Sequence, residues 1–272
     1  GIDIMQNFDL TGKVIIITGA ATGIGEQCAY DLADMGATVI ATDIDEAGVD
    51  ATAAKIIKGN GKAISIRHDV TSEADWDKLI ETCKQQFSRL DVLVNNAGIM
   101  MNIPFALCSY EDFKKQQTIN VDSVFIGCKA AYELMAESGM TTSGSSIINL
   151  SSIFGQISGP MHTAYCASKG AIRMLRKSMA VELGPMGTKI RVNSVHPGPI
   201  NTELGRSAAK DAEKLGLLAD ADERNKQVGA LFPMGRWGEV EDVSGVIAFL
   251  ASDASQFVTG AELVVDGAYS IV

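Results

Sequence analysis

The sequence predicts an α/β fold: a doubly wound parallel sheet of seven strands with helices on both faces, in a single domain. Three observations carry that prediction. Strand-like runs rich in Val and Ile recur along the chain, each is followed by a stretch of helical spacing, and no proline- or serine-rich linker, repeat or low-complexity tract divides the series. Apolar strands that are nearly continuous are buried on both sides, which a parallel sheet between two helical layers requires. The 272 residues, 46% hydrophobic and 21% charged, suffice for one sizeable core.

Each strand can be justified in order. KVIIIT at 13–18 is the first, running into the glycine-rich TGAATGIG and then the helix-like EQCAYDLADMGA. ATVIATD at 37–43 and KAISIRHDV at 62–70 follow, then LDVLVNNAG at 90–98 and SSIINLSS at 145–152. IRVNSVHPG at 190–198 is the sixth and ELVVDG at 262–267 the seventh. Between the last two, residues 203–232 are rich in Ala, Lys, Glu and Asp. That stretch reads as helices, longer than an ordinary crossover, and is expected to form a substrate lid. The domain spans 5–272, and residues 1–4 read as a tag remnant.

The net charge of −10 argues against a nucleic-acid surface or an anionic membrane as partner. No apolar run is long enough for a membrane span, and no secretory leader opens the chain, so a cytoplasmic location is expected. Five cysteines, Cys28, Cys83, Cys108, Cys128 and Cys166, are odd in number and contain no C-x-x-C pair. They read as reduced, packed thiols rather than a disulfide framework or zinc site. The three histidines, His68, His162 and His196, form no metal or triad set and read as structural, with His162 near the pocket. No metal is expected.

TGAATGIG places Gly19, Gly23 and Gly25 between a buried strand and a helix. Glycines there let the main chain turn sharply and approach a ligand, while the helix start offers N–H groups and a positive dipole end to a pyrophosphate. The turn is that of a Rossmann-type nucleotide site, with Thr22 and Ile24 between the glycines. Asp43 ends the second strand, eighteen residues after Gly25. A carboxylate there accepts hydrogen bonds from both adenosine ribose hydroxyls and repels a 2′-phosphate. The expected cofactor is therefore NAD rather than NADP.

Tyr165 and Lys169, in YCASK, are four apart in a helical pattern and share one face. A neighbouring cation favours the phenolate, which suits a phenol to proton transfer near neutrality. Ser152 precedes Tyr165 by thirteen residues at the end of a strand, where ligands bind in open α/β sheets. Ser151 is the competing hydroxyl, because alternation along a strand sends the two to opposite faces.

On these residues the chain resembles a short-chain dehydrogenase/reductase of the typical single-domain, NAD-dependent kind. The match runs from Leu10 to the C-terminus: TGAATGIG, Asp43, Asp69-Val70, NNAG at 95–98, Asn120 in INVDS, Ser152, YCASK, PGPINT at 197–202 and GAELVVDG. The resemblance implies roles. Tyr165 is the general acid/base, Lys169 lowers its pKa and holds the nicotinamide ribose, and Ser152 polarises the substrate oxygen. Asn120 holds a water that links Lys169 to solvent. Asp69 and Val70 flank the adenine, and Asn96, Ala97 and Gly98 the adenosine side, with Ile44 beside Asp43. Pro197, Gly198, Ile200 and Thr202 lie at the nicotinamide, the last two at its carboxamide.

The implied reaction is hydride transfer between NAD and a carbon bearing oxygen. Pocket walls are expected from Met100, Met101, Ile153, Phe154, residues 159–162 and the lid. They are mostly apolar and favour a secondary alcohol or ketone, cyclic or steroid-like. An NADPH-dependent biosynthetic ketoreductase is the enzyme alternative, disfavoured by Asp43. A catalytically inactive NAD-binding regulator is the other, disfavoured by the Tyr–Lys pair. The helix of Tyr165 and that from Ser123 to Met135 are apolar on more than one side, and the last strand lies at a sheet edge. A homotetramer is expected, as among the relatives the chain resembles.

Overall fold

Seven short Val/Ile-rich segments form the strands. They are β1 (Val14–Thr18), β2 (Thr38–Asp43), β3 (Lys62–Arg67), β4 (Val92–Asn95), β5 (Ser145–Leu150), β6 (Ile190–Pro197) and β7 (Glu262–Val265). All pair in parallel, in the order β3-β2-β1-β4-β5-β6-β7. The computed structural model describes residues 3–216, 223 and 231–272. The seven-stranded doubly wound sheet read from the sequence is thus the observed one.

Helices α1 (Gly23–Asp34), α2 (Glu46–Lys58), α3 (Glu73–Phe87), α4 (Tyr110–Gln117), α5 (Ser123–Met140), α6 (Thr163–Leu183), α7 (Glu203–Lys214) and α8 (Val240–Ala251) cover the sheet and its C-terminal edge. Alternation along β1 shows how the layers form. Ile15 and Ile17 join one core with Cys28 and Leu32 of α1, Val49 and Ile56 of α2, and Val243 and Ile247 of α8. Val14 and Ile16 join the other with Trp76 of α3, Val124 and Leu134 of α5, and Ile172 and Leu183 of α6. Successive side chains of a strand leave on opposite faces, so one apolar run feeds two cores.

Strand order reverses at β1, which has β2 on one side and β4 on the other. At such a switch point the loops leaving the two central strands diverge and leave a crevice beyond their C-terminal ends. Among the described residues, no helix is long and apolar enough to cross a membrane. Of the stretch expected to form a lid, α7 is described, while residues 217–222 and 224–230 lie outside the described residues.

Candidate active site

The crevice beyond β1 and β4 is shaped by main-chain geometry. Gly19 and Gly23 sit at φ +65° and +61°, a left-handed conformation glycine takes without a side-chain clash. Asn96, just past β4, pins the turn: its Nδ2 donates to the carbonyls of Thr18 (3.1 Å) and Gly19 (3.2 Å). In return, Thr18 Oγ1 accepts from the amides of Asn96 and Ala97, both at 3.0 Å. A Cβ on Gly25 would lie 2.2 Å from the Gly19 carbonyl oxygen, so a bare Gly25 is what lets α1 abut the turn. Thr22, the N-cap of α1, makes no side-chain cap bond. The first amides of that helix are left for another acceptor.

These elements wall a cleft of about 870 Å³ that runs past Gly19, Thr22, Gly23 and Ile24 to Asp43 and Ile44. Asp69, Val70, Asn96, Ala97 and Gly98 form its opposite side. The Asp43 carboxylate is held at the end of β2 by the amides of Ala21 and Asp45, each donating at 3.0 Å to a different oxygen. A glycine turn, an uncapped helix start and a fixed carboxylate fit a dinucleotide, whose pyrophosphate α1 and whose ribose Asp43 would hold.

The cleft continues into a pocket of about 300 Å³ lined by Ser152, Tyr165 and Lys169. β5 ends at Leu150, and the two serines beyond it diverge. Ser151 Oγ donates to the Lys169 carbonyl at 2.9 Å and ties the strand end to α6. Ser152 Oγ accepts from the Phe154 amide at 3.1 Å, and Ser152 lines the pocket together with Tyr165. Both serines line the pocket, but the Ser151 hydroxyl is committed to the main chain of α6. Lys169 Nζ donates to the Leu150 carbonyl at 3.0 Å and lies 5.6 Å from the Tyr165 ring centroid. Gly98 admits it: a Cβ there would sit 3.5 Å from Nζ and 3.2 Å from Asn120 Oδ1.

Burial dominates the electrostatics. It pushes the Tyr165 phenol up to about 12, outweighing the lowering influence of the nearby Ser152 hydroxyl, and pulls the Lys169 ammonium down to about 8. The depressed tyrosine expected from a neighbouring cation is therefore corrected in this structure. Both groups are desolvated, and desolvation disfavours whichever form carries charge. Asn120 stands in a π-helical turn, Thr118–Asp122, between α4 and α5, an interruption that recurs at functional sites. Its amide brackets Ile99, accepting from the main-chain N and donating to the O at 2.8 Å each, and donates to Ser168 Oγ at 3.1 Å. The Asn120 side chain thus joins the segment after β4 to α6.

A family model described as enoyl-(acyl carrier protein) reductase matches residues 19–270. The chain is 40% identical to an NADP-dependent (R)-specific alcohol dehydrogenase of Lentilactobacillus kefiri, over 96% of this chain and 98% of the other. It is 39% identical to a cyclopentanol dehydrogenase of Comamonas sp., over 95% and 97%. A short-chain type dehydrogenase/reductase from Mycobacterium marinum superposes with a TM-score of 0.87 at 36% identity, covering 99% of this chain and 100% of the other. The chain belongs to the short-chain dehydrogenase/reductase family.

In this short-chain dehydrogenase/reductase the expected site residues fall into one continuous groove, with three adjustments. Gly25 stands behind the cleft wall, and Asn120 lines neither cavity. Met101 and residues 159–161 are not among the pocket-lining residues, whereas Met100, Ile153, Phe154 and His162 are. Pro197, Gly198, Ile200 and Thr202 border the pocket, and Thr202 Oγ1 also caps α7 by accepting from the Gly205 amide at 3.0 Å. Sequence reasoning missed Asn102, Trp237 and Tyr269, which complete the pocket wall. Asn102 Nδ2 donates to the Ala208 carbonyl of α7 at 2.7 Å, and Phe232 bridges Trp237 and Tyr269 with ring centroids 5.1 and 5.2 Å away. No local motif marks them; each is brought in by chain far from α6.

Proposed function

We propose that this short-chain dehydrogenase/reductase interconverts an apolar, ring-sized secondary alcohol and its ketone, with NAD as cofactor. The observation that carries the reading is that Ser152, Tyr165 and Lys169 together line one mainly apolar pocket at the end of the nucleotide cleft. When bound, the cofactor supplies the hydride acceptor or donor. In alcohol oxidation, Ser152 donates a hydrogen bond to the substrate oxygen and Tyr165 Oη accepts the hydroxyl proton. In reduction, Tyr165 returns that proton to the oxygen. Lys169, held by the Leu150 carbonyl, would offset with its charge the burial that opposes the phenolate and would hold the nicotinamide ribose. Asn120 keeps Ile99 and Ser168, and so this wall of the site, in place.

Walls of Ile99, Met100, Phe154, Leu204 and Trp237 exclude water and favour an uncharged ring. The Comamonas relative acts, by its name, on cyclopentanol, which supports that class. Helix α7 closes over the pocket with Leu204, Gly205 and Ala208 and is the described part of the lid. Asp43 supports NAD, since its fixed carboxylate repels a 2′-phosphate. The Lentilactobacillus relative is NADP-dependent by name, which favours NADP as the second reading. A panel of cyclic and linear secondary alcohols, followed at the reduced-nicotinamide absorbance with each cofactor, separates the two. NAD should win by at least about tenfold in kcat/KM, and Asp43→Ala should narrow that margin. A wild-type preference for NADP overturns the role given to Asp43.

Exposed apolar side chains on α5 (Phe125, Met140) and α6 (Met174, Val181), together with the edge strand β7, support assembly into a homotetramer.

A further inference from the structure

Main-chain pairing between β5 and β6 ends one residue before Ser152. The Ser151 amide still donates to the Val195 carbonyl at 2.8 Å. The next bond is made by a side chain: His196 Nδ1 lies 2.9 Å from the Ser152 carbonyl oxygen. A carbonyl only accepts, so Nδ1 carries the proton and Nε2 is the acceptor, facing Ser194 Oγ at 2.7 Å. The imidazole is fully buried, and burial holds it neutral, with a pKa near 4. It extends the sheet ladder by one residue, onto the serine that lines the pocket beside Tyr165.

The same corner also holds the catalytic helix. Glu262, opposite Ser194 in the β6–β7 register, grips Arg173 through both oxygens, at 2.6 and 2.8 Å. It reaches Arg176 at 3.2 Å and lies 3.9 Å from His196 Nε2. Arg176, only 2% exposed, is fastened to the Gly260 carbonyl at 3.1 Å and to the Arg173 carbonyl. Arg173 follows Lys169 by four residues and Tyr165 by eight, on the face of α6 that carries both. One cluster, buried at His196 and Arg176 and partly exposed at Arg173 and Glu262, therefore contacts both the Ser152 main chain and the helix of Tyr165.

We propose that His196, oriented by Ser194 and backed by the Glu262–Arg173–Arg176 cluster, is a positioning residue that sets the Ser152 hydroxyl against the Tyr165 phenol. It touches neither substrate nor cofactor, and it acts by holding the Ser152 main chain. The inference rests on the roles proposed above for Ser152 and Tyr165, and a double-mutant cycle tests the two separately.

Ser152→Ala alone should lower kcat by about 100-fold, in the range for loss of one hydrogen-bond donor to the reacting oxygen. If it does not, the reading of the site fails. His196→Leu should lower kcat by about tenfold while the NADH dissociation constant stays within about twofold, because the nucleotide cleft is built by other elements. In the His196→Leu background, Ser152→Ala should cost at least about tenfold less than in the wild type, the signature of residues acting as one unit. His196→Asn, whose amide can still donate to the Ser152 carbonyl, should recover most of the lost kcat. If Ser152→Ala is costly but His196→Leu leaves kcat unchanged, or the two effects multiply independently, or Asn does no better than Leu, the inference is overturned and the site reading survives. Should His196→Leu fail to fold, Ser194→Ala takes its place in the cycle, with an expected loss of about threefold and the same non-additivity.

Discussion

At the residue scale, Tyr165 and Lys169 are both buried ionisable groups, and burial opposes the charged form of each. Tyr165→Phe keeps the ring and its packing and removes only the proton-transfer oxygen. Turnover should fall by about 1,000-fold or more with NADH affinity within about threefold, as a lost general acid/base dictates. Stopped-flow turnover and fluorescence titration of NADH check the two halves. Appreciable residual turnover would remove the acid/base role. Lys169→Ala should harm both, since the ammonium is assigned to the ribose as well as the phenol; an unchanged cofactor affinity would remove the ribose role. Much of this was legible beforehand, because Tyr165, Lys169 and Ser152 lie within eighteen residues and two regular elements. Helical spacing and a strand end suffice to bring them together. Asn102, Trp237 and Tyr269 escaped notice because they reach the pocket from segments far apart in the chain, where no periodicity connects them.

At the scale of elements, the cofactor cleft depends on coupling between the ends of β1 and β4. Asn96 and Ala97 make four hydrogen bonds to Thr18 and Gly19 across it. Asn96→Ala removes the two made by Nδ2 and leaves the Thr18 and Gly19 carbonyls short of a donor. At about 1 kcal/mol each, the loss should weaken NADH binding by roughly tenfold to thirtyfold. Once NADH saturates, kcat should change far less, because Ser152 stands just past β5 and Tyr165 and Lys169 on α6. Calorimetric titration of the variant is the check, and unchanged affinity would show that the turn holds its shape unaided. The glycine spacing in TGAATGIG announced this turn, but that its clamp is Asn96 follows only from the neighbouring of β1 and β4.

For the whole molecule, pH and assembly give the tests. His68 and His196 are buried with pKa values pulled down to about 4 by desolvation. Unfolded histidine titrates near 6.5, so below that pH the unfolded chain binds more protons than the folded one. Stability is thus intact above pH 6.5 and is lost as the pH falls toward 4, by about 3 kcal/mol for each histidine as an upper figure. Glu262, held at about 2 chiefly by Arg173, adds a separate loss below the ordinary glutamate range near 4.5. Melting temperatures between pH 7.5 and 5 should fall, and His196→Asn should flatten the decline. A flat wild-type curve would refute it. For assembly, light scattering at micromolar concentration should give about four times the 28.8 kDa chain mass; a stable single-chain mass would refute the tetramer.

The sequence by itself determined the sheet, its doubly wound covering, the glycine turn and the Tyr–Lys spacing. All of these are written in local period and composition, which short-range sterics and burial read directly. Strand order, and with it the crevice between β1 and β4, was decided only when the strands paired. The sign of the tyrosine's shift was decided there too, since desolvation depends on what surrounds a group rather than on its neighbours in the chain. The same holds for the corner beneath Ser152. His196 and Glu262 stand 66 residues apart, and nothing local says that a sheet register will bring the glutamate beside Ser194 and lay the imidazole against the Ser152 carbonyl.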